Sequence, residues 1–415
     1  MLKTLDDYNI HDRHQLRLQI RLKLTKPLSH MSGSDGNRSN LMKMDLLGLD
    51  GTMRPCPMFS ANAFRGWVLR RVGQMAMLNG LGITVSADTH SLLFAGGSTQ
   101  KGATMGNDLG MYDRIAQLYP PLSLLGGAKP ARVFGSNHSQ MLQGRLDIGN
   151  FYLVCAESAG AVPSWALPAD VAMARRQIKD SADALTKARK PDGFRDIVEY
   201  GTGEQVAEFS RRQKEHQSLV AMLMPSIRSA LRSQSSWTAE SQSIRSDAGK
   251  DPKLKAFLAP AESAGLLEGV TEDKPKKGAK KAKDGDDAPV EKSTQMIMSD
   301  ELLAIGSELV STITTRTPGI TAIEEGYLVY ALQEWGKHPV MGGKAARGCG
   351  GFPSIEIWYE CGEEKGEYLY LDNGVEKLSD RATEARQRWQ EYLEVFEQYL
   401  SAAATDDRVK GLLCS

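Results

Sequence analysis

The segment best equipped for chemistry is a glycine-rich run near the end of the chain. Residues 336–352 read GKHPVMGGKAARGCGGF, with Lys344 and Arg347 set among Gly342, Gly343, Gly348, Gly350 and Gly351. Glycines let backbone amides come close to a phosphate chain, and the two cations supply its charge partners. The run is not a triphosphate-binding loop, because Gly343-Lys344 is followed by Ala345 where a magnesium-holding Ser or Thr belongs. Nor is it a dinucleotide fingerprint, since Pro353 stands where the last glycine would fall. It reads either as a phosphate-contacting loop or as a plain irregular connection.

A second run, SANAFRGWVLRR, spans Ser60 to Arg71. Ser60 is a helix N-cap, and Phe64, Trp67 or Val68, Val72 and Met75 recur at three and four, which predicts an amphipathic helix. Arg65, Arg70 and Arg71 cannot all share its apolar face. They line either a phosphate track, with Ser60 and Asn62 as donors near the helix start, or a solvated face with Trp67 in the core.

Catalytic patterns are missing. There is no HExxH, no GxSxG and no two-histidine–carboxylate run, and His11 and His14 lack nearby cysteines. No metal and no cofactor is therefore expected. The five cysteines form no CxxC pair and read as free thiols of a reducing compartment.

These segments need elements to hold them. HQLRLQIRLKLT, from His14 to Thr25, alternates apolar and cationic residues and predicts a half-buried strand. A Ser-, Gly- and Asn-rich loop from Ser29 to Asn40 follows, then the Ser60 helix, a Gly-rich loop from Gly96 to Gly110 and a strand within Arg145–Glu157. Ala169 to Leu258 reads as polar helix, and Glu272 to Lys292 as a low-complexity, lysine-rich linker. Glu308–Thr315 is strand-like, Thr321–Trp335 helical and Ser354–Tyr359 an alternating strand. A hairpin through Asp372-Asn373-Gly374 and a long helix from Asp380 to Ala404 complete the chain.

Without its loops the order is βαββαβ, the layout of a ferredoxin-like or RRM-like α+β domain. The expected organisation is a first half of this palm with loop insertions over residues 1–160. A helical, thumb-like insertion ending in the linker covers 161–300, the second half of the palm 301–378, and a terminal helix and tail 379–415.

Composition sets outer limits. The 415 residues balance 51 Lys and Arg against 51 Asp and Glu, which excludes a uniformly basic nucleic-acid coat. The balance hides a gradient: residues 1–71 carry 12 cations against six acids, and residues 354–407 carry 14 acids against five cations. A basic front and acidic rear suit polyanion binding or head-to-tail association of identical copies, or are ordinary surface scatter. No apolar leader and no run of about 18 apolar residues occurs, so a cytoplasmic protein without membrane partners is expected.

Taken in order, the motifs resemble those of the RAMP superfamily. PLSHMSG after the first strand, then FSANAFRGWVLRR, is similar to that superfamily's first strand and Arg-Gly helix. YPPLSLLGG, ARVFGSNHSQMLQGRLDIGNFYL and GGKAARGCGGF resemble its middle segment and C-terminal glycine-rich loop. The combination looks like the crRNA-binding backbone subunit, the seven-type Cas protein, of a class 1 CRISPR effector complex, most like the type IV version. The resemblance covers roughly residues 16–157 and 308–359.

The resemblance implies a non-catalytic subunit that polymerises along guide RNA (crRNA) with other copies in a helical filament and with other effector subunits. Sequence reading of target DNA, or RNA, is left to guide pairing. By motif match, RNA contact falls on Ser60, Asn62, Arg65, Lys344 and Arg347, and on Ser29, His30 and His138. Type III relatives cut target RNA with an aspartate between first strand and first helix. Asp45 lies in that stretch, but Met44-Asp45-Leu46-Leu47 lacks the surrounding pattern. The alternative is a RAMP-type endoribonuclease using His30 or His138 as acid or base, or Asp45.

Overall fold

In the computed structural model, residues 12–35, 38–85, 90, 93–94, 104–105, 118–128, 140–191, 193, 195–245, 296–351, 354–372 and 375–400 are described. The alternation of the first strand sets the layers. In β1 (Arg17–Lys23) Leu18, Ile20 and Leu22 are fully buried, while Arg17, Gln19, Arg21 and Lys23 face the other way. One face of the sheet must therefore be covered by apolar elements.

The sheet also contains β2 (Lys43–Leu47), β3 (Met53–Phe59), β4 (Leu146–Ile148), β5 (Phe151–Leu153), β6 (Glu308–Thr315), β7 (Ser354–Cys361), β8 (Glu364–Asp372) and β9 (Val375–Leu378). Its order is β9-β8-β7-β1-β6-β5-β3-β2, with β4 also on β6, and every pairing is antiparallel. The expected strand–helix–strand–strand–helix–strand series corresponds to β1, α1, β5, β6, α4 and β7, and its four strands are neighbours in the order β7-β1-β6-β5.

Helix α1 covers residues 61–80 as three consecutive stretches, Ala61–Phe64, a π-helical Arg65–Val72 and Gly73–Gly80. Helix α4 (Ala322–Lys337) is buried on every side from Ile323 to Leu332, because it lies between the sheet, α1 and α5 (Asp380–Leu400). Thr321 starts it with a capping box, accepting from the Glu324 amide while Glu324 accepts from the Thr321 amide. Trp389, Tyr392 and Phe396 of α5 are all buried; each such side chain contributes on the order of 2–3 kcal/mol when removed from water.

The chain divides into two compact units. The larger comprises residues 1–32, 41–239 and 302–415. It includes α2 (Ala169–Arg189) and α3 (Gly203–Ala230), which share a second apolar cluster of Val171, Ile178, Met224 and Ile227 with Val310 of β6. The smaller unit is residues 33–40 and 240–301. Within it, Ser299 and Asp300 pair in parallel with Arg38 and Ser39.

Three expectations change. The stretch 29–40, read as a loop, holds strands Met31–Asp35 and Arg38–Leu41, which join a four-stranded sheet with Thr238–Arg245 and Met296–Leu303. The polar stretch after α3, read as helix, turns into strand at Thr238 for the same reason: its pairing partners lie beyond the linker. Of the alternatives Trp67 and Val68 for the apolar face, Val68 is the buried one and Trp67 is 44% exposed, and Met75, assigned to the same face, is 42% exposed. The π-helical turns of residues 65–72 bring Leu69 inward beside Val68 and turn Met75 out. The Glu272–Lys292 linker and most of Gly96–Gly110 lie outside the described residues.

Candidate nucleic-acid interface

The glycine-rich loop leaves α4 and returns to β7 by lying against the residues that follow β1. Trp335 Nε1 donates to the Val340 carbonyl at 3.1 Å, and the Met341 amide donates to the Gly350 carbonyl at 2.9 Å, closing the loop's base. Four amide bonds then fix it to the other segment: Gly343 to the Ser29 carbonyl at 2.7 Å, Gly350 to Pro27 at 2.7 Å, and Thr25 and Lys26 to Gly351 at 3.0 and 3.3 Å. Buried Met341 and Cys349 point it into the core.

Between these anchors the tip rises as a single tight turn. Lys344 has φ +60, residues Ala345–Arg347 form a 3₁₀ turn, and the amides of Arg347 and Gly348 bond back to Lys344 and Ala345. Lys344 is half-buried and Arg347 exposed. Gly350 has φ +82, and a Cβ there would collide with the Met341 carbonyl, so only glycine fits this close approach.

The same stretch after β1 reaches the start of α1. His30 Nε2 accepts the Ser60 amide at 3.1 Å, and its ring lies 4.3 Å from that of Phe59. Burial pushes the His30 pKa down, which keeps the ring neutral and Nε2 free to accept. Ser60 Oγ accepts from the Ala63 amide at 3.2 Å, and Asn150 Oδ1 accepts from Ala61 at 2.9 Å. Asn62 is exposed.

Ser29, His30, Ser60, Asn62, Lys344 and Arg347, which lie in three separate sequence segments, are thus joined by a short chain of hydrogen bonds. Their side chains do not all face outward. Ser29 is fully buried with no partner for its hydroxyl among the described residues, and Ser60 spends its hydroxyl on the cap. Asn62, Arg347 and half-buried Lys344 are the outward groups.

Arg65 stands apart. It donates to the Leu146 carbonyl at 3.0 Å, and burial, then the nearby Arg316, lowers its pKa. Arg70 likewise bonds the Leu125 and Gly126 carbonyls at 3.2 and 2.7 Å. Of the three arginines read as a phosphate track, Arg71 is the exposed one, stacked 5.2 Å over the Trp67 ring. His138 lies outside the described residues.

Two contributors escaped the sequence. Asn150 fixes the first turn of α1 from the break between β4 and β5, which follow one another along the same strand β6, and the Lys26 stem lies against Gly351. The Gly149-Asn150 pair interrupting two short apolar runs was the available signal for Asn150.

The charge gradient also resolves partly inside the fold. β1 lies beside β7, so Arg17 faces Glu360 at 3.2 Å and Arg21 faces Glu356 at 3.9 Å. Arg381 clasps Glu325 through two contacts of 2.9 Å. Asp45, expected in a loop, is exposed on the edge strand β2 and pairs with Pro55. Among the described residues no cluster of three or more His, Cys, Asp or Glu could hold a metal, and no helix is long and apolar enough to cross a membrane.

No family model matches the chain, and no curated protein matches it. Among solved structures it is similar to Csc2 of Thermofilum pendens, at 8% identity and a TM-score of 0.34, over 98% of this chain and 90% of that one. It is also similar to a chain of a type IV-B CRISPR complex, at 14% identity and a TM-score of 0.40, over 84% of this chain and 92% of that one.

Proposed function

We propose that this chain is a non-catalytic backbone subunit of a class 1 CRISPR effector complex. It self-associates in the cytoplasm along a guide RNA and holds it without reading sequence, leaving base pairing to recognise plasmid or phage DNA. The observation that carries this reading is the seating of the glycine-rich loop on residues 25–29, whose neighbour His30 holds the first residue of α1. That seating brings Lys344, Arg347 and Asn62 onto a common framework, with exposed glycine backbone between them. Such a surface meets phosphate and sugar and is indifferent to bases. The β7-β1-β6-β5 order, with α1 and α4 over the apolar face, supports a ferredoxin-like palm.

The test is to purify the chain from cells that express the matching guide locus. A large particle with a uniform guide RNA, reduced in size by ribonuclease, is expected. Replacing Lys344 and Arg347 by alanine should lower the salt dependence of RNA binding by about two phosphate contacts. A monomer free of nucleic acid refutes the reading. RNA cleavage that disappears in His30→Ala or Asp45→Ala would instead make the chain an endoribonuclease.

A further inference from the structure

The cationic face of β1 borders a cavity that the guide-holding surface does not use. It has a volume of about 710 Å³ and lies between β1, the start of β6, the end of α3 and the segment leading into α2. Cavities of this size accept drug-sized molecules, several times larger than a lone phosphate.

Its wall has two characters. Leu167 and Leu231 are buried apolar side chains, and Trp237 stands beside them. Against this apolar side stand Arg21, Lys23 and Arg232, with Glu308 as the one carboxylate among the lining residues. Glu308 lies opposite Lys23 in the β1–β6 register and Glu356 faces Arg21 at 3.9 Å, so among the described residues the lining cation without a facing carboxylate is Arg232.

The polar atoms lacking partners have one sense. Arg21 Nε and Trp237 Nε1 are both buried donors without an acceptor among the described residues, although the ends of the Arg21 guanidinium meet the Trp165 carbonyl at 3.5 Å and Glu356 at 3.9 Å. Leaving a buried donor unpaired is costly, so an occupant is expected to bring acceptor atoms. Arg21 is held in place by the rings of Trp165 and Trp358, at 6.0 and 5.7 Å, and Arg232 lies 5.1 Å over Trp237. These cations are positioned rather than free to sweep through solvent.

We propose that this cavity is a nucleotide-binding pocket, with the base on the apolar side of Leu167, Leu231 and Trp237 and the phosphate on Arg232, Lys23 and Arg21. A planar ring suits the apolar side, its edge atoms and phosphate supply the acceptors that the orphan donors lack, and the net charge matches an anion. The pocket does not depend on the guide-holding role. The nucleotide comes either from a free pool or from a strand with one residue turned into the cavity.

The test uses the full chain stripped of RNA, titrated calorimetrically with UMP, AMP, uridine and inorganic phosphate. Both monophosphates should bind, and uridine or phosphate alone should bind much more weakly. Arg232→Ala should weaken UMP by about tenfold or more, as expected for losing a charge-assisted contact. Ile305→Glu, at a lining residue that is 60% exposed, should block binding by charge repulsion while the circular dichroism spectrum stays unchanged. Lys344→Ala with Arg347→Ala should leave UMP affinity unaltered. Displacement of UMP by a short single-stranded RNA assigns the pocket to a strand, and lack of displacement to free nucleotide. The proposal is overturned if the monophosphates do not bind, if phosphate alone binds as tightly as UMP, or if both variants leave binding intact. Failure here leaves the RNA-particle result untouched, and failure of that result leaves the UMP titration untouched.

Discussion

Two glycines of the loop have almost the same backbone angle and very different surroundings, which gives a matched test of its seating. Gly348 has φ +80 with open space where a Cβ would project, and Gly350 has φ +82 with the Met341 carbonyl in that place. Alanine at Gly348 incurs only the left-handed penalty, about 1 kcal/mol. Alanine at Gly350 incurs the same penalty and must also push Met341 away. That breaks the 2.9 Å bond from the Met341 amide and strains the 2.7 Å bond to Pro27. At about 1 kcal/mol per bond the total is about 3 kcal/mol. For a chain of this size, melting should fall by ~1 °C in Gly348→Ala and ~3 °C in Gly350→Ala. RNA affinity, measured by fluorescence anisotropy, should drop on the order of tenfold in Gly350→Ala, as Lys344 and Arg347 lose their base, and stay within about twofold in Gly348→Ala. Equal melting shifts would refute the seating, and a normal RNA affinity in Gly350→Ala would detach the loop from RNA binding.

Further outcomes follow from the buried polar groups. Glu325 is 3% exposed, accepts from Arg381 and from Tyr368 at 2.9 Å, and lies 2.6 Å from His14 Nε2. Arg381→Ala should cost about 3 kcal/mol in a urea melt, and Glu325→Gln in the same chain should recover part of it. These partners outweigh burial and hold the Glu325 pKa below the ordinary glutamate range. Its contribution is therefore present above that range and fades as pH falls through the lowered value, so acid melts should be shallower in Arg381→Ala. His30 has a lowered pKa, so the unfolded chain takes up the proton first. Stability should decline as pH drops through the ordinary histidine range, and His30→Gln should flatten that slope in melts between about pH 7 and pH 5. Arg65→Ala should lower stability by about 1–3 kcal/mol through the orphaned Leu146 carbonyl, whereas Asn62→Ala should leave the melt unchanged and weaken RNA.

How far the sequence carried depended on where each residue finds its partners. The period of two in Arg17–Lys23 needs only its own burial to be read, and Ser60 caps a helix that begins beside it. The strands Arg38–Leu41 and Thr238–Arg245 have no such local signature, because each is completed by Met296–Leu303, far along the chain. Met75 misled because three-and-four spacing assumes α-helical turns, and residues 65–72 do not make them, while the choice between Trp67 and Val68 falls to Val68. The candidate site shows the same division. Sequence indicated which segments gather around the glycine-rich loop, yet not that Ser29 turns inward or that Arg65 is spent on a carbonyl. The basic front and acidic rear, read as opposite ends of a stacking unit, meet partly within one sheet because β1 and β7 are neighbours.

That neighbourhood of β1 bears on how the chain matures on the ribosome. Lys23 pairs with both Glu308 and Ser354, so β1 emerges well before the strands it pairs with. Helices α2 and α3 can contact each other well before the sheet that receives them exists. During that interval Leu18, Ile20 and Leu22 have neither sheet neighbours nor α4 to cover them. A nascent chain of this topology folds slowly and is exposed to aggregation until β6, α4 and β7 have been made.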